Sequence, residues 1–403
     1  MTGPLAGIRV LDFTWALAGP YGSMILTDMG AEVIKIEPVG VDERTRGPGP
    51  YVDGVSTYFF SINRGKQSLT LDLKSQRGRE IVYDLIGQVD VLTENFTPGT
   101  MDRLGLGYDE LAKRNPRLIY ASTSGFGQTG PYRDRGAVDV IIQGMGGLMS
   151  ITGHPDGPVT RAGYSIADMA GGMYTALGVL GSLVERSTSG LGQRVDVAML
   201  DAQVALLENA VVRHLATGEV PGPIGTRHPL VTPFQAFATL DGHLVIAGVK
   251  DWELFCAKID RDDLITDDRF QTNADRTQNH GQLEPLLIEV FATRTTTAWI
   301  EELTAICLIG PVNTIPDLVQ DPQIVSREMV VQLPHPRDPA ASLSVSNSPV
   351  KLSRTPVHAQ GAAPRAGQHS LAILRQMLDL SEAEVHALVD DGVTSLDSAA
   401  SDV

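Results

Sequence analysis

The chain is poor in cysteine and in basic residues, and both shortages exclude classes of function. Only two cysteines occur among 403 residues, Cys256 and Cys307, and they lie too far apart for a metal-binding spacing. We therefore expect reduced, buried thiols and no metal site. Lysine and arginine number 32 against 48 acidic residues, which gives a net charge of −16. That charge argues against a general nucleic-acid-binding or membrane-surface protein.

Long apolar runs are missing as well. The longest, residues 169–184, is shorter than the roughly 20 residues that a membrane-spanning helix needs, and it contains four glycines. Residues 1–7 have neither the charged part nor the apolar part of a signal peptide. We expect a cytoplasmic protein in which residues 169–184 form a buried core helix.

Segments with strand and helix patterns alternate through the first half of the chain. This alternation predicts an α/β fold with a doubly wound, mostly parallel, Rossmann-like sheet. A chain of 403 residues also exceeds the size at which one core usually splits into two. The predicted strands lie at 8–13, 32–37, 68–72, 89–93, 118–122 and 193–198, and the predicted helices include 21–29, 79–88 and 199–216.

A second unit follows a linker of proline and glycine at residues 219–225. Beyond the linker, two apolar runs flank Asp241 and Gly242, a dipeptide that is typical of a tight hairpin turn. Helical patterns continue to about residue 308. The sequence therefore predicts a smaller α+β unit over residues 225–325.

One carboxylate stands out. Asp168 lies among small and apolar residues, and Gly171 and Gly172 follow it, which leaves room for a ligand to approach closely. A carboxylate at a helix start in such a pocket can be a nucleophile that forms an acyl intermediate. It can equally be the N-cap of the helix, because aspartate is among the preferred capping residues. The segment alone leaves both interpretations open.

The first predicted turn from strand to helix invites a dinucleotide interpretation. The dinucleotide-binding motif Gly-x-Gly-x-x-Gly needs three glycines, and only Gly19 and Gly22 are present. Pro20 also removes an N–H group that a phosphate would use. A nicotinamide site is therefore disfavoured, although Ala18, at the start of this turn, stays among the candidate cofactor-binding residues.

Basic, amide and aromatic side chains follow neighbouring strands of the predicted sheet. In a doubly wound sheet, ligands gather beyond the carboxyl ends of the strands. Phosphates and an adenine ring favour cations beside an aromatic face. Scattered solvated charges are the alternative. Loops after neighbouring strands would bring Lys74, Asn95, Phe96 and Arg103 together, and the clustering of cations in residues 63–74 and 103–135 favours a ligand there.

Two glycine-rich segments follow in the chain. Residues 124–131 predict a loop after a strand, where Gln128 and the adjacent Tyr132 can donate hydrogen bonds to a ligand. Gly146 lies in a second cluster of glycines, at residues 144–147. Such clusters indicate either close packing or a close approach of a ligand.

Taken together, these segments resemble the class III CoA-transferases, the CaiB/BaiF-type, formyl-CoA transferase-like family, over nearly the whole chain. No single motif is decisive, but many occur in the same order. The matching segments include Gly30-Ala-Glu-Val-Ile-Lys-Ile-Glu37, Asn63-Arg-Gly-Lys66, Leu71-Asp-Leu-Lys74, Glu94-Asn-Phe-Thr-Pro-Gly99, Gly125-Phe-Gly-Gln-Thr-Gly-Pro131, Ala167-Asp-Met-Ala-Gly-Gly172 and Gly192-Gln-Arg-Val-Asp-Val-Ala-Met199.

The resemblance implies a CoA-binding domain built from residues 1–220 and 330–403, with the smaller domain at 225–325 inserted, and an interlocked homodimer. It implies coenzyme A as a cosubstrate and no tightly bound cofactor. The net charge and the length of the apolar runs, as stated above, argue against a nucleic-acid or membrane partner. Asp168 falls on the catalytic aspartate of the family. Lys74, Asn95, Phe96 and Arg103 fall on its CoA-contacting segments. Ala18 and Tyr132 complete the set of candidate CoA-binding residues.

The implied activity is transfer of CoA from an acyl-CoA donor to a free carboxylic acid, through an aspartyl anhydride and an aspartyl-CoA thioester. Backbone N–H groups near Gln128 and Gly146 are candidates for stabilising the oxyanion. Related α-methylacyl-CoA racemases use a His-Asp pair where this chain has Val138 and Asp139. Valine cannot move a proton, so transfer is favoured over racemisation. A non-catalytic acyl-CoA-binding protein is the remaining alternative.

Overall fold

A computed structural model describes residues 3–41, 43, 45–338 and 340–397. The chain divides into two compact units. The first contains residues 1–148, 162–212 and 323–403, and the second contains residues 149–161 and 213–322.

The strands are short, as is usual for a sheet that is covered by helices. In chain order they are β1 (Arg9–Asp12), β2 (Glu32–Glu37), β3 (Tyr51–Val52), β4 (Val55–Ser56), β5 (Gln67–Thr70), β6 (Val91–Glu94), β7 (Ile119–Ser124), β8 (Arg194–Ala198), β9 (Phe234–Ala238), β10 (His243–Val249), β11 (Cys307–Pro311), β12 (Val330–Pro334) and β13 (Ser342–Ser346).

The helices range from single turns to one long helix, α8. In chain order they are α1 (Ala18–Asp28), α2 (Thr57–Asn63), α3 (Gln76–Ile86), α4 (Thr100–Arg103), α5 (Tyr108–Arg114), α6 (Asp139–Met145), α7 (Leu148–Ile151), α8 (Ile166–Ser189), α9 (Met199–Leu206), α10 (Glu208–Thr217), α11 (Trp252–Lys258), α12 (Asn273–Gln278), α13 (His280–Phe291), α14 (Thr296–Leu303), α15 (Ile315–Gln320), α16 (Pro322–Ser326), α17 (Ser370–Leu378) and α18 (Glu382–Asp390).

The first unit is built on a six-stranded sheet with the order β5-β2-β1-β6-β7-β8. All of its strand pairs are parallel, so the predicted doubly wound α/β sheet is confirmed. Successive residues of β1 are buried on opposite faces: Leu11 packs with α3 and α17, and Val10 packs with α1 and α8. Burial of both faces explains why apolar residues stand next to each other in these strands, as Val33 and Ile34 do in β2, instead of alternating strictly with polar ones.

The second unit has its own three-stranded sheet, in the order β11-β10-β9. Strands β9 and β10 pair antiparallel, with His243 opposite Ala238, so the predicted hairpin at Asp241 and Gly242 is confirmed. Large aromatic side chains, including Phe291 and Trp299, fill its core.

Helix α8 differs from the prediction for residues 169–184. One of its faces is buried against the sheet, through residues such as Val179. The opposite face is exposed in the chain: Met173 is 47% exposed, Leu177 61% and Val184 72%. The expectation of a fully buried core helix is therefore wrong for this face. Within the described ranges, no helix is long and apolar enough to cross a membrane.

Candidate active site

Asp168 lies in the first turn of helix α8, three residues after the N-cap position. Ser165 occupies the N-cap, so the capping interpretation of Asp168 is wrong. The Asp168 side chain is half-buried, and no hydrogen bond or ion pair to its carboxylate occurs among the residues that the structure describes. A carboxylate near a helix start, without a protein partner, is available to react with a ligand.

The surroundings of Asp168 change its acidity. Burial raises the pKa of the Asp168 carboxyl to about 7, and the nearby charge of Asp139 contributes in the same direction. Desolvation and a like charge both disfavour the ionised form. A carboxylate with a raised pKa is also more basic than usual once it is ionised, and such shifts are typical of catalytic groups.

One glycine from each helix, Gly172 of α8 and Gly22 of α1, lets these two helices approach very closely. A Cβ atom at Gly172 would lie 2.6 Å from the carbonyl oxygen of Ala18, and one at Gly22 would lie 2.9 Å from the carbonyl oxygen of Gly172. Gly171 and Gly172 are both buried. The room that the sequence suggested for a thioester beside Gly172 is thus occupied by helix α1, and Ala18 lies at this contact.

Helix α6 contacts the start of α8. The Oδ1 atom of Asp139 accepts a hydrogen bond from the backbone N–H of Ala167 at 2.9 Å. The Oδ2 atom of Asp139 accepts one from Nε2 of Gln143 at 2.7 Å. The preceding residue, Val138, is 61% exposed and carries no titratable group. In the sequence, Val138 and Asp139 are notable only for the missing histidine, and the contact of Asp139 with α8 was not predicted.

The loop between β1 and α1 is fixed by buried polar groups. Lys35 donates from Nζ to the carbonyl oxygen of Thr14 at 2.6 Å, and Glu43 accepts the N–H of Ala16 at 2.9 Å. Ala16 has φ +61°, a left-handed conformation that non-glycine residues seldom adopt. Asn95 hydrogen-bonds to both backbone groups of Trp15. The predicted ligand residue Asn95 therefore also shapes this loop.

Phe96 and Lys74 follow the carboxyl ends of β6 and β5. The ring centroids of Phe96 and Trp15 are 6.2 Å apart, and the two rings are tilted by 43°. Lys74 is exposed, and no partner of its ammonium group occurs within the described ranges. These side chains lie at the sheet edge that the topology predicts for a ligand.

Arg103 meets a second arginine at the glycine that opens α4. A Cβ atom at Gly99 would lie 3.3 Å from Nη1 of Arg103 and 3.9 Å from Nη2 of Arg133. Arg103 also donates to the hydroxyl of Thr100 at 2.9 Å. The loops after β6 and β7 thus bring two guanidinium groups to one place, which suits an anionic ligand.

The cations in residues 63–66 do not belong to that group. Nζ of Lys66 donates to the buried carboxylate of Asp12 at 3.0 Å, and Arg64 pairs with Asp28 at 2.6 Å. All four side chains are buried. Arg64 and Lys66 belong to the predicted cluster of cations at residues 63–74, but both are used inside the protein and do not face a ligand.

The glycine-rich loop after β7 is held against strand β8. The backbone N–H of Gln128 donates to the carboxylate of Asp196 at 3.1 Å, and Oε1 of Gln128 accepts from Arg194 at 3.0 Å. The buried Nε2 atom of Gln128 has no partner among the described residues. Tyr132 is exposed and packs edge-on against Phe126, with centroids 5.7 Å apart.

Gly146 ends helix α6. Its N–H donates to the carbonyl oxygen of Ile142 at 2.7 Å, and a Cβ atom here would collide with Gln203. The N–H groups of Gln128 and Gly146 are thus both engaged within the protein, and neither is free in this structure for the predicted oxyanion role. The glycine at 146 has a packing role between α6 and α9.

Two further titratable residues were missed by the sequence analysis. Burial raises the pKa of the Tyr58 hydroxyl to about 12, and the charges of Asp168 and Glu43 add to this effect. Burial also raises the pKa of Glu94 to about 7. Glu94 is the first residue of the segment Glu94–Gly99 quoted above, which marks its position although not its acidity. Nothing in the pattern around Tyr58 marks that residue, because its relation to Asp168 exists only in the folded chain.

Comparison with known proteins settles the family. The sequence profile described as CoA-transferase family III matches residues 5–370. The chain belongs to CoA-transferase family III. It is 40% identical to an acetyl-CoA:oxalate CoA-transferase of Acetobacter aceti, over 93% of this chain and 96% of that protein. It is 33% identical to a human succinyl-CoA:glutarate CoA-transferase, over 97% of this chain and 90% of that protein.

Solved structures agree with this assignment. A CaiB/BaiF family protein from Brucella suis superposes with a TM-score of 0.85 and 34% identity, over 94% of this chain and 100% of that one. A class III CoA-transferase uses CoA thioesters as cosubstrates. Within the part of the chain that the structure describes, no group of three side chains suited to hold a metal ion occurs.

Proposed function

We propose that this CoA-transferase moves CoA from an acyl-CoA to a free carboxylic acid with Asp168 as the covalent nucleophile. The observation that carries this proposal is the carboxylate itself, which has a pKa raised to about 7 and no protein hydrogen bond among the described residues. Splitting a difficult exchange into two easier steps is what a covalent nucleophile achieves.

The proposed reaction begins with attack of an Asp168 carboxylate oxygen on the thioester carbonyl. The C–S bond breaks, CoA leaves as a thiolate, and an aspartyl–acyl anhydride forms. The thiolate then attacks the aspartyl carbonyl, which releases the donor acid and leaves CoA as a thioester on Asp168. The acceptor carboxylate repeats both steps in reverse. Only the ionised form of Asp168 can begin the sequence, because a protonated carboxyl is a weak nucleophile.

We place the CoA nucleotide along the carboxyl edge of strands β5, β1 and β6. The exposed ammonium of Lys74 and the guanidinium of Arg103 can bind its phosphates. The rings of Phe96 and Tyr132 offer flat surfaces for the adenine or the pantetheine.

Asn95 and Ala18 contribute to this proposed CoA site by shaping the loop between β1 and α1. Gln128 contributes its Nε2 group, which has no partner in the described part of the chain. Gly146 contributes by its small size, since a side chain there would collide with Gln203. An oxyanion donor from the N–H groups of these two residues is not part of the proposal.

We propose a dicarboxylic acid as the acceptor. Relatives of this chain bear names that include oxalate, glutarate and mesaconate, which are all dicarboxylates. Arg133 and Arg135 lie in the loop after β7, both are exposed, and either can pair with the second carboxylate. A panel of mono- and dicarboxylic acids, assayed with one donor such as succinyl-CoA, tests this choice. Equal rates with monocarboxylates would contradict it.

We also propose an interlocked homodimer, in which residues 1–220 and 330–403 form the CoA-binding domain and residues 225–325 form an inserted domain. The exposed apolar side chains of α8, Met173, Leu177 and Val184, support a second copy of the chain as the cover of this face. A cytoplasmic location stays a prediction. Light scattering tests the oligomer, and a monomeric mass would contradict the proposal.

The covalent intermediate can be trapped directly. The enzyme is incubated with an acyl-CoA in the absence of an acceptor acid, and its intact mass and peptide masses are measured. We expect a CoA adduct on the peptide that contains Asp168, and no adduct and no turnover in Asp168→Ala. Asp109→Ala, which removes an exposed first-turn carboxylate of α5, is the matched control. An adduct that persists in Asp168→Ala would contradict the assignment, and deuterium uptake at the α-carbon without an acceptor would indicate racemase chemistry.

A further inference from the structure

Two side chains of helix α6, Asp139 and Gln143, hold the segment that leads into helix α8. Asp139 accepts the N–H of Ala167 at 2.9 Å. Oε1 of Gln143 accepts the N–H of Ala162 at 2.9 Å, and Nε2 of Gln143 donates to the carbonyl oxygen of Tyr164 at 3.3 Å. The same Nε2 donates to Asp139 at 2.7 Å. Three backbone groups of this segment are therefore bound by two side chains that also bind each other.

Helix α8 needs such a contact because its own N-cap does not supply one. The first N–H groups of a helix have no partner within the helix. Ser165, at the N-cap, makes no side-chain hydrogen bond to them. The carboxylate of Asp139 takes over this role from a different helix, and a negative charge is favourable at a helix N-terminus. Asp139 is 6% exposed and Gln143 is fully buried, so neither bond competes with solvent.

We infer that Asp139 and Gln143 are positioning residues for the reaction proposed above, holding the first turn of helix α8 so that Asp168 meets the thioester in a fixed geometry. This inference rests on the proposed role of Asp168 as nucleophile. Asp168 follows Ala167 directly, so the bond from Asp139 to Ala167 sets the position of the reacting carboxylate. A misplacement of about 1 Å in a reacting group costs on the order of 10²-fold in rate.

Asp139 has a second effect that Gln143 lacks, because it carries a charge. Burial is the main cause of the raised pKa of Asp168, and the charge of Asp139 is the other. Within the described part of the chain, the Tyr58 hydroxyl also interacts with Asp168, and it stays neutral near pH 7. Removing the charge of Asp139 therefore lowers the pKa of Asp168, whereas shortening Gln143 leaves that charge in place.

Variants of Asp139 and Gln143 should therefore differ in their pH dependence, and this difference tests the inference. The pH dependence of kcat/KM, which reports groups of the free enzyme, is measured for wild type, Asp139→Asn, Gln143→Ala and the control Asp109→Asn. Asparagine at 139 can still accept the N–H of Ala167, so we expect the acidic limb to move to lower pH. We expect Gln143→Ala to lower kcat by about 10²-fold. The KM for the acyl-CoA and the acidic limb of the pH profile should stay unchanged in this variant. The control should match wild type.

A double variant with exchanged side chains distinguishes a loss of positioning from a loss of folding. In Asp139→Asn/Gln143→Glu the side-chain amide and carboxylate exchange places, so the bond between the two side chains can form again, and we expect kcat to recover relative to Gln143→Ala. An acidic limb that stays in place in Asp139→Asn, or wild-type kcat in Gln143→Ala, would overturn the inference. An adduct that survives in Asp168→Ala would instead overturn the nucleophile assignment, so the two failures are distinguishable.

Discussion

Asn95 binds both backbone polar groups of Trp15. Its Oδ1 atom accepts the Trp15 N–H at 2.9 Å, and its Nδ2 group donates to the Trp15 carbonyl oxygen at 2.8 Å. The two residues are far apart in sequence, at the ends of strands β6 and β1, which are neighbours in the sheet. An amide that satisfies a donor and an acceptor of one residue fixes the loop between β1 and α1 in a single conformation.

Asn95→Ala removes both of these hydrogen bonds. We expect a loss of about 1–3 kcal/mol in the free energy of unfolding, from two bonds of about 1 kcal/mol each and the unsatisfied backbone groups that remain. We also expect a higher KM for the acyl-CoA, because Phe96 stands on the same loop. Urea unfolding and initial rates measure these effects. Asn313→Ala, at an exposed asparagine, is the control. Wild-type stability in Asn95→Ala would show that the contact with Trp15 contributes little.

The contact between α1 and α8 predicts opposite effects of one substitution at two glycines of the same helix. In Gly172→Ala the new Cβ atom lies 2.6 Å from the backbone oxygen of Ala18, which cannot move without shifting helix α1. Such overpacking costs roughly 1–3 kcal/mol. In Gly181→Ala nothing of the same protomer lies within 4 Å of the new atom, and alanine favours the helix by up to about 1 kcal/mol.

Thermal or urea unfolding of both variants measures the difference. Gly172→Ala should be less stable than wild type and less active, since the collision with α1 disturbs helix α8, which carries Asp168 in its first turn. Gly181→Ala should be as stable as wild type or more stable. Equal stability of the two variants would contradict the role of Gly172 in this contact.

The architecture was accessible from the sequence because segments with strand and helix patterns alternate through the first half of the chain, which is typical of a parallel α/β sheet. The position of Asp168 was accessible because no charged neighbour surrounds it in the chain. The glycines beside it were assigned to a ligand, since a sequence does not show that a second helix occupies the space. Only the fold brings Ala18 next to Gly172.

Buried cations were misjudged for a similar reason. Lys66 and Lys74 look alike in the sequence, each near one end of a strand. The fold places Lys66 against Asp12, whose pKa is held at about 2 against the effect of burial by Lys66 and Lys35. Lys74 stays in solvent. The partner of Lys66 lies 54 positions away in the chain, so no local pattern distinguishes a structural cation from a ligand-binding one.

Lys74 and Arg103 should act on CoA binding rather than on chemistry. Lys74→Ala and Arg103→Ala should each raise KM for the acyl-CoA several-fold and leave kcat nearly unchanged, because a phosphate contact far from the thioester is the same in the ground and transition states. The dependence of KM on salt should also weaken, since screening acts on exposed charges. Initial rates are measured at about 50 mM and about 300 mM salt, because the Debye length shortens clearly between these two concentrations. The two sets of rates report both KM and its dependence on salt.

Lys113→Ala is the matched control for these two variants. Lys113 is an exposed lysine of the same unit, and its only ion pair among the described residues is with Glu110 on the same helix face. It should leave KM at the wild-type value. If Lys74→Ala and Arg103→Ala behave like this control, both cations belong to the solvated surface, and the CoA phosphates bind elsewhere.

The raised pKa of Asp168 predicts that the reactive group destabilises the folded protein above neutral pH. Its pKa of about 7 lies above the ordinary value of 3.8, so the folded state binds the proton more tightly than the unfolded state. The resulting stability is fully present below pH 3.8 and is lost as pH rises through about 7. Asp168→Asn removes this dependence, because the amide is always neutral. The melting temperature of Asp168→Asn should therefore exceed that of wild type at pH 8, and the difference should shrink at pH 5. A constant difference at both values would show that Asp168 ionises as an ordinary carboxyl, and would remove the main support for its role as nucleophile.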